Sequence, residues 1–321
     1  MVKKRSKKRT KKNNNIIAIL ITIILAIILG VGGINSKDIS VEDVTGKEKN
    51  EILEANANSI DKIVLENSSS ENVIKIYFFD VGQGDSILLT SNNSAMLIDA
   101  GTNESSSKLV NNLNELGIKK LDYVVGTHPH EDHIGGLDDI INNFEIDNIL
   151  MPKIQTNTKT FEDVLDAIAK KNLKITAPEK GSKFNVGEIN CEVMLDTSST
   201  KLEKNNLNLS SIIIRATYGE QSYLFTGDAE IENENMREWP KTNVLKVAHH
   251  GSNTSSSDSF LKQIQPEIAI ISCGKNNSYG HPKSEILKKL ETIEAVVYRT
   301  DENGTITLIS DGKSNNIQLE K

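Results

Sequence analysis

Three histidines and one aspartate, all able to bind a metal ion, lie within six residues of the sequence: His128, His130, Asp132 and His133. Imidazole nitrogens and carboxylate oxygens are the ligand types that borderline divalent metals such as zinc accept. A single histidine is most often a structural residue. Several imidazoles crowded into one loop do not stabilise the protein unless they bind a ligand, because each can carry a positive charge. The spacing therefore predicts a metal site.

The remaining histidines reinforce this interpretation because none is scattered. The chain has six in all, and the other three are His249, His250 and His281. Asp99, Asp228 and His249 follow apolar stretches that predict strands, as the histidine cluster does. Strand ends that each carry a ligand-type side chain are expected to meet at one edge of the sheets. That arrangement suits a site with two metal ions.

The elements that position these side chains alternate between strands and helices, which predicts an α/β fold. An apolar strand at 121–126 leads into the metal-binding turn, Pro129 stiffens the turn, and Gly135-Gly136 opens a helix to Asn143. Further helices are predicted at 105–116, 161–171, 259–264 and 284–290. Further strands are predicted at 73–79, 86–90, 95–98, 146–151, 212–218, 222–226, 243–248, 268–272, 295–299, 305–309 and 316–319, with a group of short strands between 173 and 195.

The start of the chain predicts a membrane anchor. Residues 1–15 form a basic tail, and residues 16–34 form an uncharged apolar run long enough to span a bilayer. The positive flank places this tail in the cytoplasm and the rest outside the cell. A cleaved signal peptide is the alternative, which would give a secreted protein. Residues 35–72 are polar and predict a linker, and residues 73–321 are enough for one domain with a sizeable core.

Charge and cysteine content exclude some classes of protein. The net charge is −7, and removing the eight Lys and Arg of the first twelve residues leaves −15 for the rest. An acidic exported region is a poor general binder of nucleic acid, so metals and a few local groups must hold any phosphate substrate. Cys191 and Cys273 are the only cysteines, which predicts no disulfide framework.

Several motifs together resemble the metallo-β-lactamase fold superfamily. The pattern His-x-His-x-Asp-His at 128–133 matches its main motif, and Asp99, Asp228 and His249 match its later motifs. A finer resemblance, over about residues 73–312, is to the extracellular metallo-hydrolase domain of ComEC DNA-uptake proteins and its stand-alone relatives. Similar stretches occur in the phosphorylcholine esterase domain of bacterial cell-wall proteins. The stretches that carry the finer resemblance are 79–86, 97–101, 226–228, 246–252 and 278–282.

This resemblance implies an αββα sandwich of two mixed sheets and two divalent metal ions, with zinc the expected metal and manganese the alternative. One ion would be bound by His128, His130 and Asp228, and the other by Asp132, His133, Asp228 and His249, so that Asp228 bridges them. A hydroxide between the ions would be the nucleophile, and Asp132 would also orient it. Asp99 is expected to orient a ligand histidine.

The sequence departs from the family pattern at two positions. The superfamily usually supplies a third histidine to the first ion, but no histidine occurs between 134 and 248. Asn208, Ser210 or water would take that place. ComEC channel domains often carry Asp where this chain has His130, so the metal preference is expected to differ.

Some roles stay open at the level of sequence. His250 is an alternative ligand to His249, and otherwise a contact for substrate. His281 is expected to donate a proton to the leaving group or to bind phosphate, with a structural role in its loop as the alternative. Gln83 and Asp85 are expected to support the turn, and Ser252 to touch phosphate or to cap its loop.

The function expected from these features is that of a membrane-anchored, extracellular, metal-dependent hydrolase acting on a phosphodiester. Extracellular DNA and cell-wall phosphoesters are the two expected substrates, and no protein partner is deducible. The alternatives are an amide or lactam hydrolase, and a non-catalytic or accessory module that binds DNA or wall polymer for a competence system.

Overall fold

Alternating apolar and polar side chains build the strands of the fold. In the first strand, Ile74, Ile76 and Phe78 are fully buried while Lys75 is exposed, as expected where one face of a sheet packs on a core. The computed structural model of the protein describes residues 73–195 and 206–321. Within them, two β-sheets carry the helices on their outer faces.

The first sheet is mixed, and its spatial order is β15-β14-β1-β2-β3-β4-β5-β6. Strands β3 to β6 run parallel to one another, and the other neighbours pair antiparallel. The strands of this sheet are β1 (Ile74–Phe78), β2 (Ile87–Ser91), β3 (Ser94–Ile98), β4 (Lys120–Val125), β5 (Glu145–Leu150), β6 (Ile175–Thr176), β14 (Ile306–Ser310) and β15 (Asn315–Leu319).

The second sheet is also mixed, with the order β13-β12-β11-β10-β9-β8-β7. Strands β10 to β13 are parallel, so their carboxyl ends reach the same edge of the sheet. Its strands are β7 (Lys183–Val186), β8 (Ile189–Val193), β9 (Ile214–Tyr218), β10 (Gln221–Phe225), β11 (Val244–Lys246), β12 (Ile268–Ile271) and β13 (Val296–Arg299).

Helices follow the parallel strands. They are α1 (Ser106–Glu115), α2 (Glu131–Ile134), α3 (Leu137–Asn143), α4 (Lys159–Lys170), α5 (Ile231–Glu234), α6 (Asp258–Ile264), α7 (Ser284–Thr292) and α8 (Thr300–Asn303). Single turns of 3₁₀-helix occur at Asn103–Ser105 and Leu207–Ser210, and Ala248–Gly251 forms a turn with left-handed backbone. The hydroxyls of Thr158 and Ser257 cap α4 and α6 by accepting backbone N–H bonds.

Three apolar cores hold the layers together. The central core lies between the sheets and contains Phe78 and Ile87 from one sheet and Phe225 from the other. A second core joins the first sheet to α1, α3 and α4, and a third joins the second sheet to α6 and α7. The layer order is therefore helix, sheet, sheet, helix, which fixes the two sets of parallel strand ends relative to each other.

The predicted αββα architecture is confirmed, but two local predictions need correction. The helix expected to open at Gly135-Gly136 is preceded by α2, which lies within the histidine motif itself. The strand predicted at 243–248 ends at Lys246, and the chain then turns. The predicted basic tail (1–15), membrane helix (16–34) and linker (35–72) lie outside the described residues. Within residues 73–195 and 206–321, no helix is long and apolar enough to cross a membrane.

Gly84 provides a test of how closely the loop after β1 packs on the histidine motif. A Cβ at Gly84 would stand 2.3 Å from the carbonyl oxygen of Asp132, whereas a Cβ at Gly82 would meet nothing within 4 Å. Both glycines have positive φ. We expect Gly82→Ala to cost about 1–2 kcal/mol of stability from backbone conformation alone. Gly84→Ala should cost more, because a φ of 149° is essentially restricted to glycine and because the Asp132 backbone must also move.

Urea unfolding of the two variants and the wild type measures this difference. Equal losses of unfolding free energy in the two variants would contradict the close contact between Gly84 and Asp132.

Candidate metal centre

Asp99 fixes the start of the histidine motif. It follows β3 with a φ of 58° and is completely buried. One carboxylate oxygen accepts from the backbone N–H of Thr127 at 2.8 Å, and the other accepts from the Thr127 hydroxyl at 2.7 Å. The second oxygen also lies 2.7 Å from Nδ1 of His133. Asp99 thus orients His133 so that its Nε2 faces away from β3, as the sequence predicts for a ligand histidine.

Asp228 lies at the centre of the site. It follows β10 after Gly227, whose φ of 51° turns the chain. Its Oδ1 is 3.1 Å from Nε2 of His133. Its Oδ2 lies 3.5 Å from Nε2 of His250, 3.8 Å from that of His249 and 3.9 Å from that of His128. A single buried carboxylate therefore faces four imidazoles.

His249 and His250 lie in a left-handed turn after β11. Their φ values are 50° and 53°, and Gly251 continues at 81°. In an extended strand end, neighbouring side chains would point opposite ways and only one of the two rings would reach the site, but the backbone here is not extended. Because the backbone coils here, both rings reach the site, with centroids 6.2 Å apart.

Of the two, His250 joins the tighter ligand group. Its Nε2 is 3.2 Å from Oδ2 of Asp132, and its Nδ1 is 3.0 Å from the carbonyl oxygen of Ser272. Ligand atoms of Asp132, His133, Asp228 and His250 all lie within 4.8 Å of one another. His249, which sequence reasoning preferred, is more exposed, and its Nδ1 lies 2.9 Å from the Thr254 hydroxyl.

The four-residue group fits a divalent cation. In the described residues, the buried Nε2 of His133 and Oδ1 of Asp228 have only each other within reach, and the buried Nε2 of His250 has only Asp132 and Asp228. Carboxylates crowded together in the interior are costly unless a positive charge balances them, and an ion within about 2.0–2.2 Å of these atoms would supply that charge. Two carboxylates and two imidazoles suit zinc or manganese.

The expected first ion has fewer ligands in place. His128 Nε2 and His130 Nδ1 lie 3.0 Å apart and face each other, and Asp228 is the third ligand of the predicted set. Of the two candidates for the missing histidine, Ser210 donates its hydroxyl to the Leu207 carbonyl. Asn208 instead faces the site, with Nδ2 3.5 Å from Nε2 of His249 and a buried Oδ1 that has no partner among the described residues.

The histidines differ in their affinity for protons. Burial opposes the charged form of His133 and His250, but the carboxylate of Asp228 and its acidic neighbours outweigh it and hold both pKa values well above the usual range. Burial and the neighbouring His133 lower the pKa of His128, and burial lowers that of His130. Metal binding must therefore displace protons mainly from His133 and His250.

An open cleft of about 450 Å³ leads to these groups. Its lining includes Gln83, Thr102, His130, Glu131, Asp132, Asp228, His249, His250, Tyr279 and His281. Burial and the nearby His250 and His249 lower the pKa of His281 to about 4. An imidazole that is uncharged at neutral pH is better suited to donate a hydrogen bond than to protonate a leaving group, which disfavours the acid role expected from the sequence.

The remaining predicted residues have structural contacts. Gln83 accepts from the backbone N–H of Gly274. Ser252 accepts from the backbone N–H of Thr254 and so caps its loop. Asp85 is buried and pairs with Lys246, whose Nζ lies 2.6 Å from its Oδ2. Sequence reasoning missed Lys246, although a lysine inside an apolar strand was a usable signal.

Comparison with known families agrees with this geometry. Residues 79–275 match the model of the metallo-beta-lactamase superfamily. The chain is 34% identical over 260 residues to ComE operon protein 3 of Bacillus subtilis, which covers 74% of this chain and 33% of the relative. It is 27% identical over 242 residues to competence protein ComA of Neisseria gonorrhoeae, covering 74% of this chain and 32% of that protein. The match thus spans about a third of these relatives.

A solved structure shows the same fold at low sequence identity. The chain aligns with CmlA, a diiron beta-hydroxylase from Streptomyces venezuelae, with a TM-score of 0.50 and 12% identity. The alignment covers 74% of this chain and 54% of CmlA. At this identity, the likeness describes the fold and carries nothing about the reaction.

Substitution of each neighbouring histidine tests the ligand group. We expect His250→Ala to weaken binding of zinc or manganese by more than about 100-fold, because it removes a ligand atom from the four-residue group. His249→Ala is the matched control and should retain one tightly bound ion. Titration calorimetry and metal analysis after dialysis measure both. Loss of the tight ion in His249→Ala, with retention in His250→Ala, would reverse the assignment.

Proposed function

Because the chain belongs to the metallo-beta-lactamase superfamily, we propose that it is a metal-dependent hydrolase that cleaves phosphodiester bonds. The observation that carries this proposal is the group of Asp132, His133, Asp228 and His250, whose ligand atoms lie within 4.8 Å of one another beside an open cleft. A divalent ion bound there would act as a Lewis acid toward a phosphoryl oxygen and lower the pKa of water.

The side chains around the group have separable roles in this proposal. Asp132 is partly exposed, with 26% of its side-chain surface accessible, and its Oδ2 is 3.2 Å from His250. Burial raises its pKa, but His133 and His250 outweigh that effect and keep the carboxylate ionised. It can therefore bind ions and also accept a hydrogen bond from an attacking water.

His249 and His281 line the same cleft, with ring centroids 5.7 Å apart. An uncharged His281 can donate one N–H to a non-bridging oxygen of the substrate, and His249 approaches Oδ2 of Asp228 whereas His133 approaches Oδ1. A phosphodiester carries one negative charge, so a few such donors beside a cation suffice without a broad basic groove. This agrees with the acidic net charge of −7.

The cleft entrance favours nucleic acid over a wall phosphoester as the substrate. Tyr279 is 61% exposed at the rim and stacks on His281, with centroids 5.7 Å apart and planes inclined by 21°. One flat, accessible ring suits a nucleobase, whereas a quaternary ammonium is usually enclosed by several rings. The name of the Neisseria gonorrhoeae relative, a competence protein, supports the same choice.

We further propose that the hydrolase domain works outside the cell, anchored through residues 16–34. The grounds are the basic flank and the length of the apolar run in the sequence. In this position it would act on extracellular DNA, as an accessory to uptake. Retention of the chain in the membrane fraction, with the domain accessible to added protease in intact cells, is the expected result.

Hydrolysis by the metal-loaded protein tests the main proposal. We expect manganese- or zinc-loaded protein to cleave bis-p-nitrophenyl phosphate and single-stranded DNA. Asp228→Asn should lower kcat/KM by more than about 100-fold, since it removes the central charge. Asp147→Asn, an exposed position on β5, is the matched control. Tight metal binding without cleavage of either diester would refute the phosphodiesterase proposal and favour an amide substrate or a binding role.

Tyr279 tests the choice of substrate. We expect Tyr279→Ala to raise KM for a short single-stranded oligonucleotide by about 5–150-fold, because base stacking on an aromatic ring contributes roughly 1–3 kcal/mol. Tyr279→Phe keeps the ring and should behave like wild type, and an abasic oligonucleotide should show little difference between the variants. A loss confined to a phosphorylcholine ester would instead support the wall substrate.

A further inference from the structure

We propose that Asp85, held by Lys246, is a positioning residue for His250 and acts together with the Ser272 carbonyl to keep Nε2 of the imidazole facing the metal. Lys246 is 1% exposed and Asp85 is also 1% exposed, so both charges lie in the interior. Nζ of Lys246 donates to Oδ2 of Asp85 at 2.6 Å and to the carbonyl oxygen of Val247 at 3.1 Å. This inference rests on the proposed function only through metal binding at His250.

The second oxygen of Asp85 faces the histidine. Its Oδ1 lies 3.3 Å from Nδ1 of His250 and is buried without a hydrogen-bond partner in the described part of the chain. The same Nδ1 is 3.0 Å from the carbonyl oxygen of Ser272. A carbonyl oxygen only accepts, so the ring proton belongs on Nδ1. The lone pair of Nε2 is then directed toward Asp132 and Asp228.

Asp85 is also tied by its backbone to the rest of the centre. Its N–H donates to the carbonyl oxygen of Asp132 at 3.1 Å, and its carbonyl oxygen accepts from Gly101 at 2.8 Å. The side chain of Asp85 therefore moves with the backbone of Asp132 and with the loop that follows Asp99. A small displacement of this carboxylate would change the position of His250 relative to Asp132.

A purely structural role is the competing explanation. Asp85 follows the loop after β1 of the first sheet, and Lys246 ends β11 of the second, so the pair also links the two sheets. Breaking a buried ion pair by removing one partner is strongly destabilising, whereas replacing both partners by apolar residues of similar volume is often neutral. Double replacement therefore separates stability from positioning.

The test compares two double variants of the full chain, and neither changes a metal ligand. Asp85→Leu with Lys246→Met removes the side-chain oxygen beside Nδ1 and leaves only the Ser272 carbonyl there, whereas Asp85→Asn with Lys246→Met removes the charges but keeps a side-chain acceptor oxygen. We expect the Leu/Met protein to bind zinc 10–100-fold more weakly than wild type and to change the visible spectrum of bound cobalt(II). The Asn/Met protein should bind zinc within a few-fold of wild type.

Thermal unfolding without metal shows whether both variants are folded. Wild-type zinc affinity and an unchanged cobalt spectrum in the Leu/Met protein would overturn the proposal. Equal losses in the two double variants would also overturn it, because the acceptor oxygen would then make no difference.

A measurement on the wild-type chain does not depend on whether a variant folds. Long-range ¹H–¹⁵N spectra of the zinc-loaded protein should show the His250 proton on Nδ1 and the ion on Nε2. The reverse arrangement would overturn the inference. Neither readout depends on hydrolysis, so tight metal binding without diester cleavage would count against the proposed function and leave this inference standing.

Discussion

A buried carboxylate among four imidazoles is the interaction on which the rest of the site depends. Asp228 is 2% exposed and faces His128, His133, His249 and His250. It comes from the second sheet, whereas His128 and His133 come from the first. The central apolar core must therefore dock the sheets so that the ends of β4 and β10 meet. Side-chain packing in this core, away from the site, thus determines the distances between Asp228 and the histidines, because a closely packed interior resists small displacements.

The loops at these strand ends contain residues in unfavourable backbone conformations. Asp99, His249 and His250 have φ values of 58°, 50° and 53°, which cost about 1–3 kcal/mol each for residues other than glycine. Hydrogen bonds from neighbouring strands offset this cost. Asp99 N–H donates to the Val125 carbonyl at 2.8 Å, and His249 N–H donates to Gly227 at 3.1 Å. These conformations place three functional side chains at once.

The sequence predicted the parts of this arrangement that depend on local patterns. Strand alternation and ligand-type residues after strands located the His128–His133 motif and Asp228, because both signals are short-range. The choice between His249 and His250 depends on a left-handed turn and on the carbonyl of Ser272, which no local pattern reveals. The partner of Lys246 lies 161 residues away in sequence, and only the docking of the two sheets brings Asp85 to it.

The two sets of metal ligands, one with His128 and His130 and the other with Asp132, His133 and His250, differ in protonation and in charge. His128 and His130 have lowered pKa values, so each ring is uncharged and offers one nitrogen lone pair without losing a proton, but the third histidine is missing. In the other set, raised pKa values keep His133 and His250 protonated until an ion displaces the protons, yet two carboxylates stand ready to balance its charge. A dication gains more from two carboxylates at low dielectric than from a neutral pair of imidazoles. The set with Asp132 and His250 therefore balances the charge of an ion more completely, even though an ion that binds there must displace protons from the histidines.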